Sequence, residues 1–577
     1  MFNRYYQQEL DNLKDLGEEF SKAYPALAPM LSGRSSDPDV DRLLEGVAFL
    51  TALLKQKLDD EFPEIVHEMI RTIWPHYLRP MPSSSIVAFK PKPTLKQSLT
   101  IPAGVQVAST PVEGTSCLFR TCYPVQVHPL NILDASFEEP AGRRANIRLL
   151  MELQGPSLED WQPQSLRFFL GGTFPFATDL YLLLSYYLKN ITISDPERTN
   201  ITSLSPDNLR PAGFGQNEGI VPYPSNSFPG YRIIQEYFLL PEKFLFLDLF
   251  GWEQWINRGK NRQFEITFEF DKIPFPAPRI KKNNFVLFAT PVVNIFPHSA
   301  DPIRLDHRKT EYRIRPSGTK KTHYQIYDVQ KVTGYMQGAS KERVYRPSDR
   351  FDMKHGDNPV YHLTTKNSPV QHDFDVYLSI AYDSQSRSPV QETLSIDLLC
   401  TNGFLTEELK SGDISKPTRD LPGQVELTNL HPPTSTILPP LGTDLLWRLI
   451  SHLSLNSTSL ANTENLKSLL DLYLFKNPAH PEYYAANKKR LEGIEHVRSQ
   501  GRDRLVSGIM MRGREIELQA RHDHFGSQGD LFLFCQVLDH FFGCYSSINS
   551  YTQFMLKEII TGDLYRWPEK LGDRPLI

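Results

Sequence analysis

His298, Asp301, Asp306 and His307 fall within ten positions, and two imidazoles with two carboxylates are ligand types that can hold a metal. Pro297 and Pro302 make the local backbone irregular, and Arg304 and Arg308 offer the aspartates ion-pair partners, so the spacing predicts a structural turn held by Asp–Arg contacts. Asp37, Asp39 and Asp41 have the alternate spacing of a calcium loop, but Arg42 stands where that loop needs glycine and Ala48 where it needs a bidentate acid. His522 and His524 flank Asp523 before a glycine-containing turn and read as structural in the same way. Cys117 and Cys122 lack histidines at zinc-finger spacing. Trp447 and His452 lie about a turn apart on a C-terminal helix and read as core packing. Phosphate-loop, dinucleotide, zinc-protease and nucleophile-elbow signatures do not occur. The expectation is no catalytic, cofactor or metal site, and no enzyme.

The elements around these residues carry more information. Asp37 is a good N-cap, Pro38 suits the first helical position, and Asp39 and Asp41 place negative charge at the positive end of the helix dipole. From there Val40, Leu43, Leu44, Val47, Leu50, Leu54 and Leu58 recur at helical spacing. At ~1.5 Å per residue, a helix over 38–60 is a rod of about 33 Å with one apolar face. Pro63 can open a second helix with Ile65, Val66, Met69, Ile70 and Ile73, which Pro75 ends by pushing Trp74 out of the helical region. A third stripe, Phe2, Tyr5, Tyr6, Leu10, Leu13, Leu16 and Phe20, precedes them. Such helices form a bundle by themselves or share one with another chain, and the pattern alone leaves both open.

From Ile86 the texture becomes short runs rich in Val, Ile, Phe and Tyr, divided by Pro, Gly, Asn and Asp. With 45 prolines in 577 residues, this predicts sandwich or barrel-like lobes with stiff connections rather than βαβ units. Helices are expected at 176–189 and 231–240, and long loops at 195–230 and 335–370. Beyond a proline-rich boundary near 410–442, Leu445, Leu446, Leu449, Ile450 and Leu453 predict one helix and Leu466, Leu469, Leu470 and Tyr473 another. REIEL reads as a strand, Leu531–Phe542 as a helix and YSSINSYTQF as a final strand or loop. The fold class is therefore α+β, in three parts: 1–82 helical, 83–410 a β-rich body, and 411–577 an α+β lobe.

A net charge of −4 from 63 basic and 67 acidic residues gives no field that would draw the chain to nucleic acid or anionic lipid, and Lys281–Lys282 and Lys488–Arg490 are too short to change that. The polar, acid-containing N-terminus is unlike a signal peptide, and no apolar run approaches a bilayer span. Five scattered cysteines suit a reducing compartment. A cytoplasmic protein is expected, in which the sequons at Asn190, Asn200 and Asn456 carry no glycan.

RLLEGVAFLTALLKQKLDDEFPE followed by WPHYLRPMPSSSIVAF resembles the opening of the TssF family of type VI secretion baseplate subunits, also called VasA or ImpG. CLFRT at 117–121, SLRFFLGG at 165–172, VVNIFPHSADPIRLDHRKTEYRIRP at 292–316, LLCTNGFL at 398–405, WRLISHLSLNSTSL at 447–460 and HFGSQGDLFLFCQVLDHFF at 524–542 resemble it in the same order. The resemblance implies a structural wedge component without catalysis. Its implied partners are TssG, a second TssF copy, TssK, TssE, the VgrG spike and neighbouring wedges, and its role is to seed the contractile sheath. On that reading Val40, Leu43, Leu44, Val47, Leu50, Leu54, Leu58, Ile70 and Trp74 form a partner interface. The alternative is a cytoplasmic β-rich ligand-binding protein or carbohydrate-active enzyme that uses the aromatics of 223–238 as a platform.

Overall fold

The computed structural model describes residues 74–198, 200–223, 227–318, 320–336, 342–348, 359–368, 373–381, 391–441, 461–475, 480–506, 509–546, 548 and 550–572, with 6, 7, 9, 10, 13, 16, 39, 42–53, 67 and 69–71 before them. The chain divides into two compact units, Met1–Leu78 with Pro440–Ile450, and Arg79–Pro439 with Ser451–Ile577. In the first unit residues 42–53 are helical, and the Trp74 N–H closes the last turn of the next helix on the Ile70 carbonyl at 2.5 Å before a 3-10 turn over Pro75–Leu78. The expected positions Val40, Leu54, Leu58, Ile65, Val66 and Ile73 lie outside the described residues, as do the helix expected from Leu445 to Leu453, Trp447 and His452.

The second unit is mixed α+β, and its body is β-rich as expected. One antiparallel sheet of six strands runs in the order Ile414–Pro417, Gln106–Val112, Thr115–Thr121, Ala289–Val293, Ser84–Pro91, Val425–Asn429. Ser84–Pro91 is an interior strand, paired on both sides and buried on both faces as far as Phe89, which is why it reads as an unbroken apolar and small-residue run. Strands 414–417 and 425–429 return to this sheet, so the body extends past residue 410. The prolines between them mark turns rather than a division between lobes.

A five-stranded antiparallel sheet follows the order Ile201–Leu204, Leu188–Ser194, Gln263–Phe270, Asn146–Leu153, Leu130–Glu138. Loop expectations at 195–230 and 335–370 are corrected in part; 337–341, 349–358 and 369–370 lie outside the described residues. The first stretch contains strands Ile201–Leu204 and Leu209–Ala212, and the second contains Glu342–Pro347 and Val360–Asn367. Their polar alternation is that of half-exposed strands, which a tally of polar residues confuses with loop. An eight-stranded sheet of strands between Phe296 and Thr401 ends on Phe296–Ser299 at one side and Tyr312–Arg313 at the other. A bridge between Ala300 and Pro316, with Asp301 N–H to Arg315 O at 2.8 Å and Ser317 N–H to Ser299 O at 2.9 Å, nearly closes it into a barrel.

Five helices of this unit are α1 (Phe174–Leu182), α2 (Pro229–Leu239), α3 (Thr463–Asp471), α4 (Pro481–Glu492) and α5 (Gln528–Gly543). The helix expected over 176–189 is shorter: α1 passes into a π turn at Leu183–Tyr187, and Leu188 begins a strand. There the period-two pattern of Ile191 and Ile193, paired with Phe268 and Ile266, overrides the helical one. In the C-terminal region Ile509–Ala520, α5 and Ser550–Glu558 form a parallel crossover unit. Helix α5 packs on both α1 and α2, so this region is built into the body.

Candidate assembly surface

Residues 42–53 form a helical run whose sides are used in an unusual way. Ala48 and Ala52, one turn apart, are fully buried, whereas Leu43, Val47 and Leu50 are 69%, 40% and 61% exposed, and Phe49 and Leu53 are exposed as well. Leu44 is half-buried. Small residues allow close approach on one side, and large apolar side chains remain partly exposed on the other. Ile70 and Trp74, which the sequence places with the strip, are buried inside the chain and do not belong to its exposed part. Phe49 and Leu53 were missed because they fall to one side of the leucine repeat; their large apolar side chains next to alanine were the available signal.

The polar clusters read as structure. Asp306 accepts hydrogen bonds from Arg308 N–H at 3.2 Å and Tyr312 OH at 2.9 Å, which hold its carboxyl below the usual range. His298 Nε2 lies 2.9 Å from the Ser317 carbonyl, and its ring stacks on Tyr324. Asp306 is thus held chiefly by a backbone N–H and a tyrosine hydroxyl, with the expected pull of the Arg308 charge a smaller contribution. Among the described residues no group of three or more His, Cys, Asp or Glu is placed to hold a metal. Asp523, between His522 and His524, is bound by Arg521 at 2.7 Å and lies in a short 3-10 turn. Cys117 and Cys122 are buried, and burial pushes their thiols up to about 11 and about 12, away from thiolate chemistry.

Sequence reasoning did not find the buried ionic network. Glu236 and Lys243 are both fully buried and paired, Glu236 Oε1 accepts the Ile220 N–H at 2.6 Å, and Arg232 donates to the Gln216 and Gly215 carbonyls at 2.6 and 2.7 Å. The network clamps the stretch 215–220, and desolvation lowers the affinity of Lys243 for its proton. The signal was the i,i+4 pair Arg232 and Glu236 on an otherwise apolar helix. A second hub is Asp530, fully buried, which accepts from Arg490 at 2.9 Å, from Gly526 N–H at 2.9 Å and from Tyr237 OH at 3.3 Å, tying α4, α5 and α2 together. Among the described aromatics of 223–238, Tyr231 and Tyr237 are buried, Tyr223, Phe228 and Phe238 are half-buried, and Tyr223 OH is bound to the Phe228 carbonyl at 2.6 Å, so they do not form the exposed platform expected of a ligand-binding surface.

Helices fastened into a β-rich body by buried ion pairs, with one further helix that keeps large apolar side chains partly exposed, have the physical character of a subunit that offers surface to a partner. The chain belongs to the family "Type VI secretion system, TssF", whose profile matches residues 1–574. It is 29% identical over 618 residues to the type VI secretion system component TssF1 of Pseudomonas aeruginosa, covering 99% of this chain and 98% of that protein. Its fold is similar to a chain in the cryo-electron microscopy structure of the TssK-TssF-TssG baseplate subcomplex, with a TM-score of 0.79, 27% identity and coverage of 93% of this chain and 99% of the other. A chain in the baseplate complex from the type VI secretion system shares the fold over the full length of both, with a TM-score of 0.60 and 23% identity. No helix among the described residues is long and apolar enough to cross a membrane.

Proposed function

We propose that this chain is a structural baseplate component of a type VI secretion system, cytoplasmic, and that it assembles with TssG through the apolar strip of residues 43–53. The observation that carries the reading is the exposure of Leu43, Val47 and Leu50 at 69%, 40% and 61% on a helix whose alanines are buried. Full burial of such a side chain is worth on the order of 1.5–3 kcal/mol, and a partner that covers the 40–69% still exposed on each gains the corresponding share, which adds up over the strip. The similar chain found in a TssK-TssF-TssG subcomplex supports TssG and TssK as neighbours. Contacts with a second copy, TssE, the VgrG spike and adjoining wedges, which would let the ring seed the sheath, are part of the same proposal. The β lobes act as stiff spacers, and no catalytic step is assigned.

Co-expression with TssG tests the proposal. Val47→Asp or Leu50→Asp places a charge in the strip; TssG should no longer co-purify, while the far-ultraviolet circular dichroism of the chain stays that of the β-rich body. Recovery of TssG at the unmodified ratio from both variants overturns it.

A further inference from the structure

The turn after the last long strand is built as rigidly as a binding site, yet what it presents is apolar. Glu558, buried at its base, accepts hydrogen bonds from the N–H and Oγ1 of Thr561 and from the N–H and Nδ1 of His522, the last at 2.8 Å. From below, the π turn of α1 sets two consecutive tyrosines against the returning strand: Tyr186 OH donates to the Leu564 carbonyl and Tyr187 OH to Tyr565 OH, both at 3.3 Å. Lys272 pairs with Asp563 at 3.5 Å. On this frame Ile559, Ile560 and Leu564 stand 42%, 51% and 55% exposed beside Tyr186 at 40%. Nothing in the folding of the turn requires aliphatic residues there, and π turns of this kind recur at functional positions.

Size and charge indicate what covers it. Three half-exposed aliphatic side chains and one ring amount to far less than the ~800 Å² per partner of a self-sufficient interface, so the contact holds only where other contacts already bring the partner close. The strand pair that carries the turn exposes Lys557 and Arg566, neither of which has a carboxylate partner among the described residues, while Asp563 is matched by Lys272; Glu517 on the adjoining strand accepts from the neutral Gln519 amide and keeps its charge, so the two cations outnumber it. A cationic rim around an apolar centre fits an acidic rim around a shallow apolar depression. One small aliphatic cluster is too little to enter a bilayer, and its single ring, Tyr186, gives one stacking partner where single-stranded nucleic acid is held by several.

We propose that the turn Glu558–Leu564 is a preformed secondary contact that grips a neighbouring protein subunit, at a shallow apolar depression rimmed by carboxylates, once the complex has assembled. The inference rests on the baseplate reading for its setting but not on the helical strip. It is tested in cells that make the whole apparatus, with the photo-crosslinking residue p-benzoylphenylalanine in place of Ile560. The expected result is an adduct to another protein at a peptide containing Asp or Glu, whose yield drops about tenfold, the equivalent of 1.4 kcal/mol, when Lys557→Glu and Arg566→Glu are added. TssG recovery should be unchanged in both variants, which separates this contact from failure of the strip. Absence of a protein adduct, an adduct to lipid or nucleic acid, or a yield indifferent to the charge reversal overturns the proposal. A second variant, Ile560→Asp with Leu564→Ser, should keep the thermal midpoint of the parent chain because these side chains are half in water already.

Discussion

Asn294 and Asn402 exchange two hydrogen bonds at the junction of the six-stranded sheet and the barrel: Asn294 Nδ2 donates to Asn402 Oδ1 at 2.8 Å, and the Asn402 N–H donates to Asn294 Oδ1 at 2.6 Å. Both side chains are buried, and each also binds the backbone of Leu118, with Asn402 reaching the His323 carbonyl as well. A polar knot of this kind is strong only while every member is satisfied. Asn402→Leu leaves several buried groups unpaired at about 1–3 kcal/mol each, so the urea midpoint of the chain should fall clearly. Asn294→Leu combined with it should cost less than the two singly, because they share partners. Simple additivity in urea unfolding would show that the pair does not act as one unit.

Helix α5 meets α1 where Gly529 lies under the Thr178 carbonyl; a Cβ at residue 529 would sit 2.1 Å from that oxygen and 2.4 Å from Asp179 N. Gly529 N–H also donates to Asp179 Oδ1 at 2.9 Å. Gly529→Ala gains helix propensity but forces the helices apart, and the second effect dominates at about 1–3 kcal/mol or more. The thermal midpoint should fall, and hydrogen exchange in α5 should accelerate before that of the barrel. A stabilised variant would contradict the close contact.

Asp539 and Lys570 form an ion pair at 2.5 Å with Asp539 buried, and burial pushes the aspartate carboxyl up to about 6 while lowering the proton affinity of the lysine. Removing one charge strands the other, so Lys570→Met should destabilise by roughly 3–5 kcal/mol, whereas Asp539→Leu with Lys570→Met should recover most of the loss. Because the folded state holds the Asp539 proton more tightly than the unfolded chain does, this group favours folding on the acid side. Its contribution declines as pH rises from about 4 to about 6 and is level above that. The double variant should lack this slope in thermal melts taken across that range.

Glu558 titrates in the opposite sense. Burial alone would raise its carboxyl, but the donors of Thr561 and His522 hold it down to about 2 from an ordinary 4.5. It therefore adds stability that is complete above about 4.5 and is lost as pH falls from there towards 2. Comparing melts of the parent and Glu558→Gln should show a difference that is constant near neutrality and shrinks below pH 4.5. A difference that persists to pH 2 would mean the carboxylate is not the species bound.

Local pattern made much of this chain legible. Strands such as Asn146–Leu153 and Gln263–Phe270 alternate cleanly and are bounded by Pro, Gly or Asn, and α2 begins at a proline and stops before Pro241. What escaped depends on partners distant in sequence. Strand Val425–Asn429 is polar on one face and proline-flanked, and only its pairing with Ser84–Pro91 identifies it as part of the body. The π turn cannot be told from continued helix until Ile191 and Ile193 find their neighbours. At the candidate surface the leucine repeat gave Leu43, Val47 and Leu50, but which side of the helix is covered depends on Ala48 and Ala52, and no periodicity of large apolar residues reveals that.

The interior place of Ser84–Pro91 in its sheet also has a bearing on biosynthesis. Its neighbours are Ala289–Val293 on one side and Val425–Asn429 on the other. At ~5–20 residues per second, on the order of half a minute of translation separates its exit from the ribosome from that of the later flank. Throughout that interval an apolar ribbon of the nascent chain has a bare rim, so the growing polypeptide needs chaperone shelter in the middle of its synthesis, and ribosomes stalled before residue 425 should yield an aggregation-prone fragment.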